Sequence, residues 1–316
     1  MTIVLSRSAD HLYWISRYME RAENTARILD VSDRMGLLPT TTTAGSGEWD
    51  AVLQITGDDG AFLQNFPEPT AANVIAHLTL DPDNPSSIYS TVRSARENAR
   101  AERVGITTEM WEALNSTWLE ISNLTAARLA SRGYRNFFDW IKERSHLFRG
   151  ATLATMLRDE RYHFLRLGTF LERADSTARI LDVKYHILLP DTEDVGSAID
   201  HFQWGALLRS VSAYRNYHHA YKQVITPINV ADLMIFNDAF PRSLHSCHDE
   251  VATLLNDISR PRGSEAARQS GEIHAMLHYG RIETVFKQGL HEYLSDFIVR
   301  NNQLSGEIQA AYLVAH

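Results

Sequence analysis

Glu20-Arg21-Ala22-Glu23-Asn24-Thr25-Ala26-Arg27-Ile28-Leu29-Asp30-Val31 returns 152 residues later as Glu172-Arg173-Ala174-Asp175-Ser176-Thr177-Ala178-Arg179-Ile180-Leu181-Asp182-Val183. Ten of the twelve positions are identical, and the other two, Glu23/Asp175 and Asn24/Ser176, are close substitutes. Carboxylates and guanidiniums kept at fixed spacing can do two things. As i,i+4 pairs of favourable order, Glu23-Arg27 and Asp175-Arg179 add about 0.3–0.5 kcal/mol each when exposed. Cross-helix pairs would fix register without adding stability. Alternatively the arginines hold an anionic group while a carboxylate receives or relays a proton, with Glu20 and Glu172 as the catalytic candidates. The anion-binding candidates here are Arg17, Arg21, Arg27, Arg173 and Arg179.

A second charged group is Arg93, Arg96, Glu97, Asn98, Arg100 and Arg103. Its arginines recur at i, i+3, i+7 and i+10, which places them on one helix face. They either pair with acids of other helices or hold a phosphate or carboxylate in their planar forks, with Glu97 a further catalytic candidate. Arg242-Ser243 follows Pro241 at a predicted helix start, where free N–H groups attract anions, although a cap alone accounts for Ser243. His274 and His278 stand at i,i+4, and His245 and His248 at i,i+3 beside Asp249 and Glu250, spacings that can ligate zinc. Neither pair recurs in the first half of the chain, and no paired Glu-x-x-His signature is present, so the sequence predicts no metal site. No Walker loop, Gly-x-Gly-x-x-Gly or nucleophile elbow occurs, and no cofactor is predicted.

These residues must be positioned by helices. A helical pattern runs from Ser6 or Ser8, either of which can cap it, to about Met35, and Gly36-Leu37-Leu38-Pro39 ends it. At 100° per residue His11, Ile15, Tyr18, Met19, Ala22, Ala26 and Leu29 share a stripe, with Arg17, Glu20, Asn24 and Arg27 opposite. Ala22 and Ala26 would admit a close neighbour. Thr40 to Gly47 reads as a loop, and Trp49 to Ile55 as a helix broken by Asp58-Asp59-Gly60. Asn73 to Leu80 is a short apolar segment. A turn then offers Ser86 or Ser87 as cap for the helix carrying the arginine stripe. Thr107 or Thr108 caps the next, with Trp111, Leu114, Trp118 and Ile121 at helical spacing. A further helix starts near Asn136. Strand signals are nearly absent.

The second half repeats this order. Trp49 to Leu53 matches Trp204 to Leu208 at offset 155; Asn73-Val74 matches Asn229-Val230, and Pro85-Ser86-Ser87 matches Pro241-Arg242-Ser243, at 156. Pro39 matches Pro190. The expectation is an all-α tandem duplication, with halves at residues 1–152 and 153–316 related by an approximate twofold axis and packed as one unit. The signature helices should meet on that axis, with Glu20 toward Arg173 or Arg179 and Glu172 toward Arg21 or Arg27.

The 316 residues carry a net charge of -8, are 44% hydrophobic and 22% charged, and include one cysteine, Cys247. That balance suits a soluble chain with a sizeable core and argues against a general nucleic-acid surface. A lone cysteine allows no internal disulfide. Met1 to Asp10 lacks an apolar stretch of signal-peptide length, and no run of about 18 apolar residues suggests a membrane span. The cytoplasm is the expected compartment.

At Leu5 to Asp30, with the pattern LSRxADxLYWxxRYxERAExxARxLD, the chain resembles a bacterial family known as the alpha-E domain. PSSI followed by RENAR at Pro85 to Arg100, then Trp111-Glu112 and Asn115, and FPRSL at Phe240 to Leu244 extend the resemblance along essentially the full length. Asn229-Val230-Ala231-Asp232-Leu233 departs from the pattern. The family's charged motif positions fall here on Arg7, Arg17, Glu20, Arg21, Glu23, Arg27, Asp30, Arg96, Glu97, Asn98, Arg100 and Arg242. The resemblance implies a gene neighbourhood with a circularly permuted ATP-grasp amidoligase and a transglutaminase-like peptidase. It also implies a role in making or modifying a peptide or peptide-like metabolite. The expected partners are therefore that ligase, which would supply ATP or an acyl phosphate, and a peptide or amino-acid substrate. A homo-oligomer stays open, and a non-catalytic assembly module whose charged helices set subunit docking is the alternative.

Overall fold

The computed structural model describes residues 4–35, 47–187, 198–258 and 264–314. The expectations for Gly36 to Pro39, for most of the Thr40 to Gly47 loop and for Pro190 lie outside the described residues. Among the described residues the secondary structure is helical throughout, with no strand.

Two long helices form the centre: α1 (Ser6–Met35) and α9 (Glu160–Ile187). From Tyr13 onward α1 is buried on almost every side, including Arg17, Glu20, Asn24 and Arg27, which periodicity places opposite the apolar stripe. A helix enclosed all round shows little amphipathicity, so its stripe marks only one of several contact faces. Ser6 and Ser8, read as caps, both lie inside its first turn.

Shorter helices surround the pair. After α1 come α2 (Gly47–Thr56), α3 (Asp59–Asn65), α4 (Ala71–Thr79), α5 (Ile88–Ala101), α6 (Thr108–Ile121), α7 (Ala126–Arg132) and α8 (Tyr134–Thr155). After α9 come α10 (Ala198–Ser210), α11 (Tyr214–Tyr221), α12 (Pro227–Ile235), α13 (Leu244–Ile258), α14 (Glu265–His278), α15 (Ile282–Gln288) and α16 (Leu290–Ile308), continued by a π turn over Gln309–Leu313. α1 packs on α5 and α8, whereas α9 packs on α13 and α16. Each long helix also crosses over, α1 onto α10 and α9 onto α2.

Side-chain caps start many of the shorter helices. Thr70, Ser87, Thr107, Thr125, Thr226 and Ser264 each accept from the backbone N–H three residues on. Each such bond satisfies a donor the helix leaves open and contributes about 1 kcal/mol. Gly133 and Gly289, at φ of +83° and +104°, turn the chain from α7 into α8 and from α15 into α16, a conformation only glycine adopts without strain.

α1 and α9 approach closely at Gly168. A Cβ on Gly168 would stand 2.3 Å from the Tyr13 backbone oxygen and 2.4 Å from Ser16 Oγ. Ala22, Ala26, Ala174 and Ala178 continue the tight seam and are buried. The surrounding core includes Leu12, Ile15, Leu29, Phe62, Phe138, Phe148 and Phe297, each worth roughly 1.5–3 kcal/mol of buried apolar surface.

Candidate functional site: a Glu–Arg lattice between the two long helices

The tight seam sets the signature side chains face to face. Arg173 donates to both oxygens of Glu20, at 2.9 and 3.0 Å. Reciprocally, Arg21 donates to both oxygens of Glu172, at 2.6 and 3.1 Å. Of the alternatives the sequence leaves open, Arg173 and Arg21 are the partners. Arg179 and Arg27 do something else. Arg27 pairs with Glu23 at 2.7 Å and donates to the Ser210 backbone oxygen at the end of α10. Arg179 pairs with Asp175 at 2.7 Å and donates to the Ile55 oxygen, 2.7 Å away near the end of α2. Both thus satisfy carbonyls that a helix C-terminus leaves open, where the dipole also favours a cation.

On the Glu172 side, Arg17 adds a third contact, Nε to Oε2 at 2.7 Å, with its guanidinium also over the Tyr13 and Trp14 rings. Burial by itself would raise the Glu172 carboxyl, but Arg21 and Arg17 outweigh it and hold it at about 2.

The Glu20 side is more crowded. Arg149 of α8 reaches Glu20 at 2.7 Å and Glu23 at 2.5 Å and is braced by Ser145. Arg242, from the turn before α13, donates to Asn24 Oδ1 at 3.1 Å, to Glu23, and lies 3.3 Å from Glu20. Four guanidiniums, of Arg27, Arg149, Arg173 and Arg242, therefore share two carboxylates, Glu20 and Glu23. Burial would raise both acids, yet the arginines win: Glu20 sits at about 2, and Glu23 well below its usual range. The excess of cations falls on Arg242. Burial, then Arg27 and Arg173, pull it down to about 9 against the opposing pull of Glu23 and Glu20. Asn24 Nδ2, in the same cluster, is buried with no hydrogen-bond acceptor. The solvent side is formed by Arg149, with 17% of its side chain exposed, and His146, 56% exposed and 3.7 Å from Glu23.

The other sequence candidates lie elsewhere. Arg7 is exposed in the first turn of α1, about 15 Å along the helix from Arg17 at 1.5 Å per residue. Arg93, Arg96, Glu97, Asn98 and Arg100 are on α5, but Arg103 falls past its end, beyond Glu102. Their arginines find few acids on other helices. Arg93 lies over Tyr89, Arg96 pairs with Glu97 and donates to Asn115 at 3.0 Å, and Arg100 stands 3.5 Å from Glu97. Arg96 and Arg103 flank the Trp111 ring, and Asn98 meets His11 at 2.8 Å. Ser243 is buried and accepts from the Ser246 N–H at 2.9 Å, which is a cap's bond. Cys247 is buried, and burial pushes its thiol up to about 12, away from the thiolate form.

Sequence reasoning missed Arg149. Its one signal is position: it sits four residues after buried Ser145 and beside Phe148, on the edge of the buried face of α8. The dismissed histidines do meet: His245, Asp249 and His278 bring potential ligand atoms within 4.8 Å of one another. No described helix is long and apolar enough to cross a membrane.

Uncharacterized proteins of Mycobacterium bovis and of two Mycobacterium tuberculosis strains are each 24% identical to this chain over 330 residues, covering 92% of it. The chain spans about a third, 35%, of the length of these relatives. No solved structure matches. Glu20-Arg21 and Glu172-Arg173 supply the reciprocal ion pairs at the centre of the fold, and the model of one family covers residues 4–313: the chain belongs to the Alpha-E family, described as a predicted alpha-helical domain with a conserved ER motif.

Proposed function

We propose that the Glu20–Glu23 cluster binds an anionic group, a carboxylate or phosphate, as the helical component of an ATP-grasp amidoligase system that makes or modifies a peptide-like metabolite. The observation that carries the anion reading is the surplus of guanidiniums over carboxylates in a buried cluster. Unpaired buried cations are costly, and an incoming anion relieves that cost while taking up the idle Asn24 Nδ2. Arg242 and Arg149 have no arginine at the matching places 156 residues away, Ser86 and Ser305, so the surplus is larger on the Glu20 side of the helix pair. The ligase partnership rests on the family resemblance, and acyl phosphates are the anions such a partner would present. That the relatives are nearly three times longer fits a module that works beside further domains.

The same reading takes the chain as two duplicated halves, 1–152 and 153–316, about an approximate twofold axis. Its support is reciprocity: Glu20 with Arg173 against Glu172 with Arg21, and Arg27 on Ser210 against Arg179 on Ile55. Carboxyls held near 2 stay ionised at neutral pH, which suits Glu20 and Glu172 to electrostatic positioning better than to proton transfer. That favours a binding role over catalysis by this chain alone.

The test is thermal stabilisation of the full chain by inorganic phosphate, pyrophosphate and a glutamyl peptide, in wild type and in Arg149→Met, a substitution at the cluster's rim. Stabilisation by at least one probe, lost in the variant, is expected. No stabilisation, or stabilisation the variant keeps, overturns the anion site. Co-purification with the neighbouring ATP-grasp protein, and mass spectrometry of what accumulates, tests the partnership separately.

A further inference from the structure

On α13, His245 and Asp249 stand at i,i+4, and on α14 so do His274 and His278, so each helix turns one pair toward the other. His278 Nδ1 lies 3.3 Å from His245 Nε2, which lies 3.4 Å from Asp249 Oδ1. Atoms bound to one tetrahedral zinc at bond lengths of about 2.0–2.1 Å are separated by about 3.4 Å, the edge of that tetrahedron. His245 is already set for such a role. It is buried, and its Nδ1 donates to the Phe236 carbonyl at 2.9 Å, which leaves the Nε2 lone pair facing the cluster. A backbone carbonyl fixing the ring in this way is the usual outer partner of a metal-bound histidine. Asp249 Oδ1 is buried and takes part in no well-formed hydrogen bond, although His274 Nε2 stands 2.9 Å away. With the His245 Nδ1 proton on the Phe236 carbonyl, its Nε2 lone pair faces the Asp249 carboxylate oxygen 3.4 Å away, a contact that a cation between them relieves.

We propose that His245 Nε2, His278 Nδ1 and Asp249 Oδ1 bind a zinc-class divalent cation, with His274 bracing the carboxylate. Asp249 and His278 also line a cleft of about 540 Å³ between α13 and α14, together with Thr253, Asn256, Ser270 and His274, so a ligand could reach a metal held there. Two neutral nitrogens and one carboxylate suit zinc rather than calcium or magnesium, which prefer all-oxygen sets. Three protein ligands and an open position form the arrangement that admits water or a ligand carboxylate to the metal. Tyr89 and Arg93 stand 156 residues before His245 and Asp249, so the opposite half offers no second copy.

The full chain, stripped with a chelator, is titrated with Zn²⁺ against a chromophoric competitor and with Co²⁺ by visible absorption. One equivalent of each is expected, with the d–d bands of four-coordinate Co²⁺. His278→Ala, an exposed position whose loss leaves the core intact, and Asp249→Asn should each weaken Zn²⁺ binding by more than about 100-fold. His274→Ala should weaken it about 10-fold, as an outer partner does. His219→Ala, exposed on α11, should change nothing. No stoichiometric binding by the wild type, or binding that His278→Ala retains within about threefold, overturns the site.

Discussion

Replacing Glu172 with Gln keeps the side chain's size and removes the charge between Arg17 and Arg21. Two routes give the cost. Glu172 sits at about 2 in the folded chain against 4.5 as an isolated carboxyl, and that depression corresponds to about 3 kcal/mol of folding stability at neutral pH. Removing one partner of a buried ion pair typically costs about 3–5 kcal/mol, because the cations left behind remain desolvated. Here two cations are left, Arg17 with 9% of its side chain exposed and Arg21 with 28%, and water reaches Arg21. The loss expected is therefore about 3 kcal/mol, measured by urea denaturation of wild type and variant at about pH 7. The sign of its pH dependence follows from a depressed carboxyl. The contribution is complete above about 4.5 and disappears as pH falls toward about 2, so the gap between the two proteins should narrow in acid. Adding Arg21→Met to the variant should recover part of the loss, since the uncompensated charge goes with it. A gap under about 1 kcal/mol at neutral pH, or one that stays constant into acid, would refute the view that this ion pair is clamped by burial.

Gly168→Ala should force α1 and α9 apart, because the new methyl meets the Tyr13 backbone oxygen at 2.3 Å; a destabilisation of about 1–3 kcal/mol is expected in the same urea assay. Ser87→Ala removes the acceptor for the Ser90 N–H at the start of α5 and should cost about 1 kcal/mol, read as a fall in the denaturation midpoint at unchanged slope.

Much of the architecture is written in local chemistry. The caps at Ser87 and Thr107, the turn at Pro82 and the long pattern of α1 all lie in adjacent residues, and the structure has them, whereas the break read at Asp58-Asp59-Gly60 falls at Gly57-Asp58, with Asp59 and Gly60 already in α3. That Glu20 meets an arginine of the later copy and Glu172 one of the earlier was legible for a different reason, since the repeat itself implies that a contact made in one direction is made in the other, whereas the choice of Arg173 over Arg179 depends on the packing. What escaped notice depends on three-dimensional neighbours. Arg149 looks like any surface arginine until α8 is docked on α1. Gly168 carries no signal among residues that are merely small, because its meaning is the Tyr13 carbonyl opposite. The histidines of α13 and α14 carry no repeat and no Glu-x-x-His signature, and only packing of the two helices brings His245 and Asp249 beside His278. The short α7, seven residues ending at Gly133, offers too few turns for periodicity to show. Arg103 was placed on α5 by spacing alone, which does not register where the helix stops.

Arg27 and Arg179 each leave their own helix to cap the end of a helix from the other side of the molecule. Either portion made by itself would therefore expose a frayed helix end and strand acids and bases without mates. Severed pieces should be insoluble alone and recover only when produced together, and the intact chain should melt in a single transition despite its size.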